Sequence, residues 1–96
     1  MKILFIGGTG FISTDVSRLT IEKGFELYLL NRGIHANDIS GCHQLKVDIQ
    51  DKDDVRKAIK NLKFDVVVDW IAYARDDIDR DLELFRGKIN QYIFIS

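Results

Sequence analysis

The chain alternates short apolar runs with stretches whose apolar residues recur at helical spacing. Lys2 to Ile6 is a near-continuous apolar run, broken by Gly7-Gly8-Thr9-Gly10. A run without polar interruption suits a strand buried on both faces. From Phe11 to Lys23, Ile12, Val16 and Leu19 fall at i, i+4 and i+7 among Ser13, Asp15, Ser17, Arg18 and Glu22. That spacing predicts an amphipathic helix, with Gly24 as its C-terminal stop. Glu26 to Leu30 reads as a second strand, ended by Asn31-Arg32-Gly33, and a polar loop runs on to about His43. Gln44 to Asp48 alternates, with Leu45 and Val47 on one face, and reads as a third, shorter strand. Asp51 is a good N-cap, and Asp54 suits the positive end of the helix it opens. Val55, Ala58, Ile59 and Leu62 mark the buried stripe of that helix. Phe64 to Asp69, with Val66-Val67-Val68 at its centre, predicts a fourth strand buried on both faces. Asp76 to Phe85 carries Ile78, Leu82 and Phe85 at i, i+4 and i+7 on an otherwise charged helix, stopped by Gly87. Gln91 to Ile95 reads as a fifth strand.

The resulting order, βαββαβαβ, predicts parallel strands joined by right-handed helical crossovers. The expected fold class is α/β: a doubly wound sheet of five strands in order 3-2-1-4-5, with helices on both faces in three layers. Composition narrows the function. Ninety-six residues make one domain at most. A formal net charge of −1 gives no electrostatic footprint for nucleic acid or an anionic membrane. The apolar runs are too short to span a bilayer, and the first one ends in glycines, unlike a signal peptide. The single cysteine rules out an internal disulfide and fits a reducing cytoplasm, the expected location. The chain stops at Ser96 directly after an apolar run, and reads as the first part of something longer.

The chemistry-bearing motif is Gly7-Gly8-Thr9-Gly10-Phe11-Ile12-Ser13, lying between the first strand and the first helix. Gly7 permits a tight turn. Gly10 lets the backbone approach a pyrophosphate without a Cβ in the way, and the helix N-terminus offers free N–H groups and a positive dipole end. Ser13 stands where such fingerprints have a third glycine, whose role is close helix–strand packing. The competing reading is a glycine-rich turn with no ligand; the strand–loop–helix context weighs against it. Asn31 lies 21 residues after Gly10, where enzymes of this fold that use NAD place an acid for the ribose hydroxyls. A neutral Asn31 followed by Arg32 removes repulsion against a 2′-phosphate and offers a guanidinium to bind it. This leans toward NADP over NAD; the other reading of Arg32 is a solvated loop arginine.

The chain resembles the N-terminal half of the extended short-chain dehydrogenase/reductases, the NAD-dependent epimerase/dehydratases acting on nucleoside-diphosphate sugars. The resemblance rests on Gly-Gly-Thr-Gly-Phe-Ile at 7–12, Leu-Asn-Arg-Gly at 30–33, Val-Asp-Ile at 47–49 and Tyr-Ile-Phe-Ile-Ser at 92–96. It implies a Rossmann-type NAD(P)-binding portion over residues 1–96, with Gly7, Thr9, Gly10, Phe11 and Ile12 in the phosphate loop. The catalytic and sugar-nucleotide-binding part would lie beyond this chain, and a homodimer is the parent's expected assembly. The resemblance also implies that Asp48 accepts from the adenine amino group while the Ile49 N–H meets the ring; a helix-entry acid ahead of Asp51 is the other reading of Asp48. It implies that the loop after the fourth strand, with Ile71 and Ala72, lines the cofactor. Trp70 and Tyr73 depart from the family's His-x-Ala-Ala-like pattern there, and packing at the strand end is the favoured role for both.

Family members move hydride with a Tyr-x-x-x-Lys pair, and this chain has none: Tyr28, Tyr73 and Tyr92 are followed four residues later by Arg32, Asp77 and Ser96. No catalytic residue is assigned, Ser96 included. His35, Cys42 and His43 lack the paired spacing of a metal site. The acids between Asp76 and Glu83 interleave with Arg75, Arg80 and Arg86, and read as a solvated helix face with pairs such as Asp76–Arg80. The expected function is the NAD(P)-binding portion of a nucleoside-diphosphate-sugar epimerase or dehydratase. The alternative is a non-catalytic sensor or RNA-binding module of the same fold.

Overall fold

The computed structural model of the chain describes residues 1–7, 11–32, 41–72 and 74–95. Its elements are β1 (Lys2–Ile6), α1 (Phe11–Glu22), β2 (Glu26–Asn31), β3 (His43–Lys46), α2 (Lys52–Ile59), β4 (Phe64–Asp69), α3 (Arg75–Phe85) and β5 (Ile89–Phe94). The strands form one sheet in the order β3-β2-β1-β4-β5, every neighbouring pair parallel. This is the α/β architecture expected from the sequence. Parallel strands have to be joined by crossovers, and α1, α2 and α3 supply them.

The sheet has two unlike faces. On one, Leu4, Ile6, Tyr28, Leu30, Phe64 and Val67 pack with Val55 and Ile59 of α2 and Leu84 and Phe85 of α3. On the other, Ile3, Phe5, Leu27 and Leu29 meet Val16 and Ile21 of α1, together with Val66, Val68 and Trp70. Burying the paired faces of β1 and β2 removes them from water at roughly 25 cal/mol per Å² of apolar area. Register follows from this, because a one-residue slip would exchange the two faces.

Several expectations require correction. Val66 and Val68 are half-buried. Their face is the one packed by α1 rather than by the α2–α3 pair. In α1, Leu19 is 51% exposed, while Thr14, Ser17 and Thr20 are buried. The inward face thus runs through Thr14, Ser17 and Thr20 beside Val16, and of the expected stripe Leu19 is the residue that turns out. Small side chains let α1 approach the sheet closely, and Thr20 Oγ1 satisfies itself by donating to the Val16 carbonyl at 2.7 Å. In α3 the inward face carries Arg80, Asp81, Leu84 and Phe85, and Leu82 is 45% exposed. The solvated face expected there is therefore partly an interior one. Strand β3 ends at Lys46, so Asp48 lies two residues beyond it rather than at its last position.

Candidate functional site

In a parallel sheet all strand ends of one kind share an edge, and ligands of open α/β folds bind beyond the carboxyl ends. Here that edge is held together one residue past the strands. Gly7 N donates to the Leu30 carbonyl at 3.0 Å, Trp70 N to the Ile6 carbonyl at 3.0 Å, and Ile95 N to the Asp69 carbonyl at 2.9 Å. Gly7 sits directly after β1 at φ +79. A Cβ built on it would stand 2.6 Å from Ile71 Cγ2. The chain after β4 therefore passes so close over the end of β1 that only glycine fits. α1 opens at Phe11 with no acidic residue in its first turn, whereas α2 and α3 carry Asp53, Asp54 and Asp76, Asp77 there. Its positive dipole end is thus not neutralised by its own side chains. Thr9 and Gly10 lie outside the described residues, as do the side chains of Phe11 and Ile12.

At the end of β2, Asn31 Nδ2 donates to Gln44 Oε1 of β3 at 3.4 Å, and Arg32 is exposed beyond it. After β3, Asp48 Oδ1 accepts from Gln50 N at 2.9 Å, and the Asp48 carbonyl accepts from Asp51 N at 2.9 Å. Asp51 in turn caps α2 by accepting from Asp54 N at 3.2 Å. The helix-entry reading of Asp48 is thus observed for one carboxylate oxygen. An open cleft of about 650 Å³ adjoins it, lined by Asp48, Gln50, Asp51, Lys52, Asp53 and Arg56. The Ile49 side chain is buried in the core, so only its backbone faces outward chemistry. Ile71 is 46% exposed, and Ala72 is buried. The structure therefore gathers Gly7, Ile71, Ala72, Asn31, Arg32, Asp48 and Ile49 along one edge. Trp70 packs as expected, its ring edge-on to Phe5 at 5.6 Å, with a buried Nε1 that has no hydrogen-bond partner among the described residues. Tyr73, His35 and Ser96 lie outside the described residues. Among the described residues no cluster of three or more His, Cys, Asp or Glu could hold a metal ion.

One group of polar residues was not anticipated. Asp69 ends β4 fully buried, and its Oδ1 accepts from Ile71 N at 2.8 Å. Its Oδ2 accepts from Arg80 Nη2 of α3 at 3.5 Å. Arg80 Nε and Nη2 also donate to Asp81 Oδ1 at 3.2 and 3.1 Å, and its Nη1 to Asp77 at 3.2 Å. Tyr92 of β5 donates from its hydroxyl to Asp81 Oδ2 at 2.5 Å. The expected Asp76–Arg80 pair is therefore replaced by Arg80 with Asp69, Asp77 and Asp81. A guanidinium only 7% exposed seeks buried carboxylates because they repay its desolvation, which an exposed aspartate does not. Burial and the neighbouring Asp69 push the Asp81 carboxyl up to about 7. Burial and Asp81 raise the Tyr92 hydroxyl above its ordinary range. The available signal was positional: 77, 80, 81, 84 and 85 form one helix stripe, whatever their polarity.

The family described as RmlD substrate binding domain matches residues 1–91 of the chain. Among curated proteins, a chloroplast stem-loop binding protein of 41 kDa b from Arabidopsis thaliana is 31% identical over 109 residues, covering 99% of this chain and 29% of that protein. A UDP-glucose 4-epimerase from Streptomyces lividans is 32% identical over 78 residues, covering 77% of this chain and 24% of that protein. Among solved structures, the UDP-glucose 4-epimerase of Thermus thermophilus in complex with NAD superposes with a TM-score of 0.65 at 25% identity, over 88% of this chain and 30% of that one. The chain thus spans less than a third of the length of each of these relatives.

Proposed function

The chain belongs to the RmlD substrate binding domain family, within the short-chain dehydrogenase/reductase group of NAD-dependent epimerases and dehydratases, and we propose that it is the dinucleotide-binding portion of an enzyme acting on nucleoside-diphosphate sugars. The observation that carries the reading is the end of β1: Gly7 at φ +79 under Ile71, followed by a helix whose first turn holds no acid. A strand that ends in a left-handed glycine turn and leads into a helix with an unneutralised N-terminus fits a pyrophosphate-binding strand–turn–helix. The epimerase relative and the NAD complex of a similar fold support the same reading.

When bound, NAD(P) supplies a nicotinamide ring that takes up or returns a hydride. The chain's own residues bind and orient it. Gly7, Thr9 and Gly10 give the phosphates access to backbone, and Phe11 and Ile12 open the helix whose N–H groups face them. Arg32 meets a 2′-phosphate, and Asn31 beside it carries no opposing charge, which favours NADP. Asp48 and the Ile49 N–H hold the adenine, while Ile71 and Ala72 line the cofactor. The sugar pocket and the acid–base pair belong, on this reading, to the remainder of a full-length protein. The alternative of a sensor or RNA-binding module is not favoured. The stem-loop binding relative shares the fold portion, but a formal net charge of −1 offers little to a phosphate backbone. Calorimetric titration of NAD and NADP tests the proposal. Saturable binding is expected in the wild type and none in Gly10→Val, with both chains folded by circular dichroism. A folded wild type that binds neither dinucleotide refutes it.

A further inference from the structure

Among the described residues, the buried seam between β4, α3 and β5 touches the candidate site through Asp69. The Asp69 carboxylate that Arg80 holds with one oxygen fixes the Ile71 N–H with the other. Loop 70–72 is therefore shaped by a charge whose partner is shared. One guanidinium serves two fully buried carboxylates, Asp69 and Asp81. The groups facing Asp81 are Asp69 from β4, Tyr92 from β5 and Arg80 from its own helix, with Asp77 reaching it through Arg80. Arg80 Nη2 donates both to Asp69 Oδ2 at 3.5 Å and to Asp81 Oδ1 at 3.1 Å, so one nitrogen holds the two carboxyl groups side by side, an arrangement that favours a proton on one of them.

We propose that Asp81 is a positioning residue: its charge state, relayed through Arg80 to Asp69, sets loop 70–72 for the dinucleotide. The inference rests on the dinucleotide reading above. With Asp81 protonated, Arg80 neutralises Asp69, and Asp69 keeps its grip on Ile71 N. When the proton leaves for solvent, two buried carboxylates compete for one guanidinium and repel each other. The Asp69 carboxylate is then displaced from the position in which it holds Ile71 N, and an extra negative charge lies behind the site that receives a pyrophosphate. Both consequences weaken binding as pH rises.

Trp70, the single tryptophan, follows Asp69 directly and reports the loop through its emission. In the wild-type chain without ligand, emission should titrate with a midpoint near that of Asp81, about 7. If only the protonated form binds, the competent fraction falls from about 0.9 at about pH 6 to about 0.1 at about pH 8, so NAD affinity weakens about tenfold. Asp81→Asn, which mimics the protonated form, should flatten both curves. Tyr92→Phe removes the hydroxyl that favours Asp81 ionisation, and should move the midpoint to higher pH. A merely structural seam would not give that directional shift, and the variant serves even if Asp81→Asn fails to fold. Wild-type emission that does not change over this range, or a transition that persists in folded Asp81→Asn, overturns the proposal. Constant NAD affinity alongside a titrating Trp70 refutes the coupling alone. No NAD binding at any pH by the folded chain refutes the dinucleotide reading itself, and with it the coupling.

Discussion

Replacing Gly7 by alanine should destabilise the chain through two separable terms. The first is conformational. At φ +79 an L-residue lies in the left-handed region, which costs about 1–2 kcal/mol. The second is steric. The new Cβ would stand 2.6 Å from Ile71 Cγ2, 3.3 Å from Cγ1 and 3.4 Å from Cδ1. Cγ2 branches from Cβ, so the side chain cannot simply swing its tip away. It must leave its rotamer or carry its backbone along, and that backbone is pinned by the Asp69–Ile71 hydrogen bond. Overpacking of this kind costs about 1–3 kcal/mol. The sum, about 2–5 kcal/mol, is a large share of the roughly 5–14 kcal/mol that a chain of this length would hold. A four-variant cycle separates the terms: wild type, Gly7→Ala, Ile71→Ala and the double variant, unfolded in urea and followed by far-ultraviolet circular dichroism. Ile71 is half exposed, so Ile71→Ala alone should cost little. In its background Gly7→Ala should cost only the conformational term, leaving a coupling of about 1–3 kcal/mol. Strict additivity would refute the close approach of the two loops. A Gly7→Ala variant as stable as wild type would refute the positive φ as well.

With Asn31 and Arg32 at the end of β2, the wild-type protein should prefer NADP by about ten- to a hundredfold, the scale of a charge-assisted bidentate contact worth about 1.5–3 kcal/mol. Arg32→Ala should erase that preference and Asn31→Asp reverse it; equal calorimetric affinities in the wild type would place Arg32 in solvent. The 96-residue chain by itself should show no turnover, since it carries no Tyr-x-x-x-Lys pair, and nicotinamide absorbance that changes with any sugar nucleotide would overturn this. Because the Asp81 carboxyl is raised on folding, its contribution to stability is greatest below about pH 4, declines as pH rises toward about 7, and is constant above that. Chemical unfolding of wild type and Asp81→Asn across that interval should show a stability difference that changes by as much as a few kcal/mol; parallel profiles would show that Asp81 ionises freely.

Much of the fold was legible because it is written in periodicity. β1 and β4 occupy the residues their apolar runs indicated, and the crossover spacing dictated strand order. The stripe read from apolar spacing held in α2, where Val55 and Ile59 are buried, but it misplaced residues in α1 and α3. α1 packs Ser17 and Thr14 inward and leaves Leu19 out, because close approach to the sheet selects for small volume rather than hydrophobicity. α3 was given an apolar stripe through Leu82, yet the sheet receives Arg80 and Asp81. Charged residues are buried only when they find partners, and those partners, Asp69 and Tyr92, come from strands 11 residues away in each direction. No window along the helix contains them. Of the candidate site, Gly7 was legible because a strand, a glycine and a helix are local. The close passage of Ile71 over it was not, because it joins residues 64 positions apart in sequence.

The aspartates at the carboxyl edge act alike although the sequence suggested different roles for them. Asp48, read as an adenine acceptor or a helix-entry acid, takes the N–H of Gln50, two residues on. Asp51, read as a cap, takes the N–H of Asp54. Asp69, read only as the end of a strand, takes the N–H of Ile71, again two residues on. In each case a short carboxylate substitutes for the ladder acceptor that the backbone loses on leaving the sheet or entering a helix. What distinguishes Asp69 is its depth. Asp48 and Asp51 hold their turns from the water side, where a neighbouring charge is screened. Asp69 holds its turn from the interior, where the charge must be neutralised by Arg80 and so becomes sensitive to Asp81. Among the described residues of this edge, the loop over Gly7 is thus the segment whose turn is held by a carboxylate with a buried ionic partner as well as by local turn geometry.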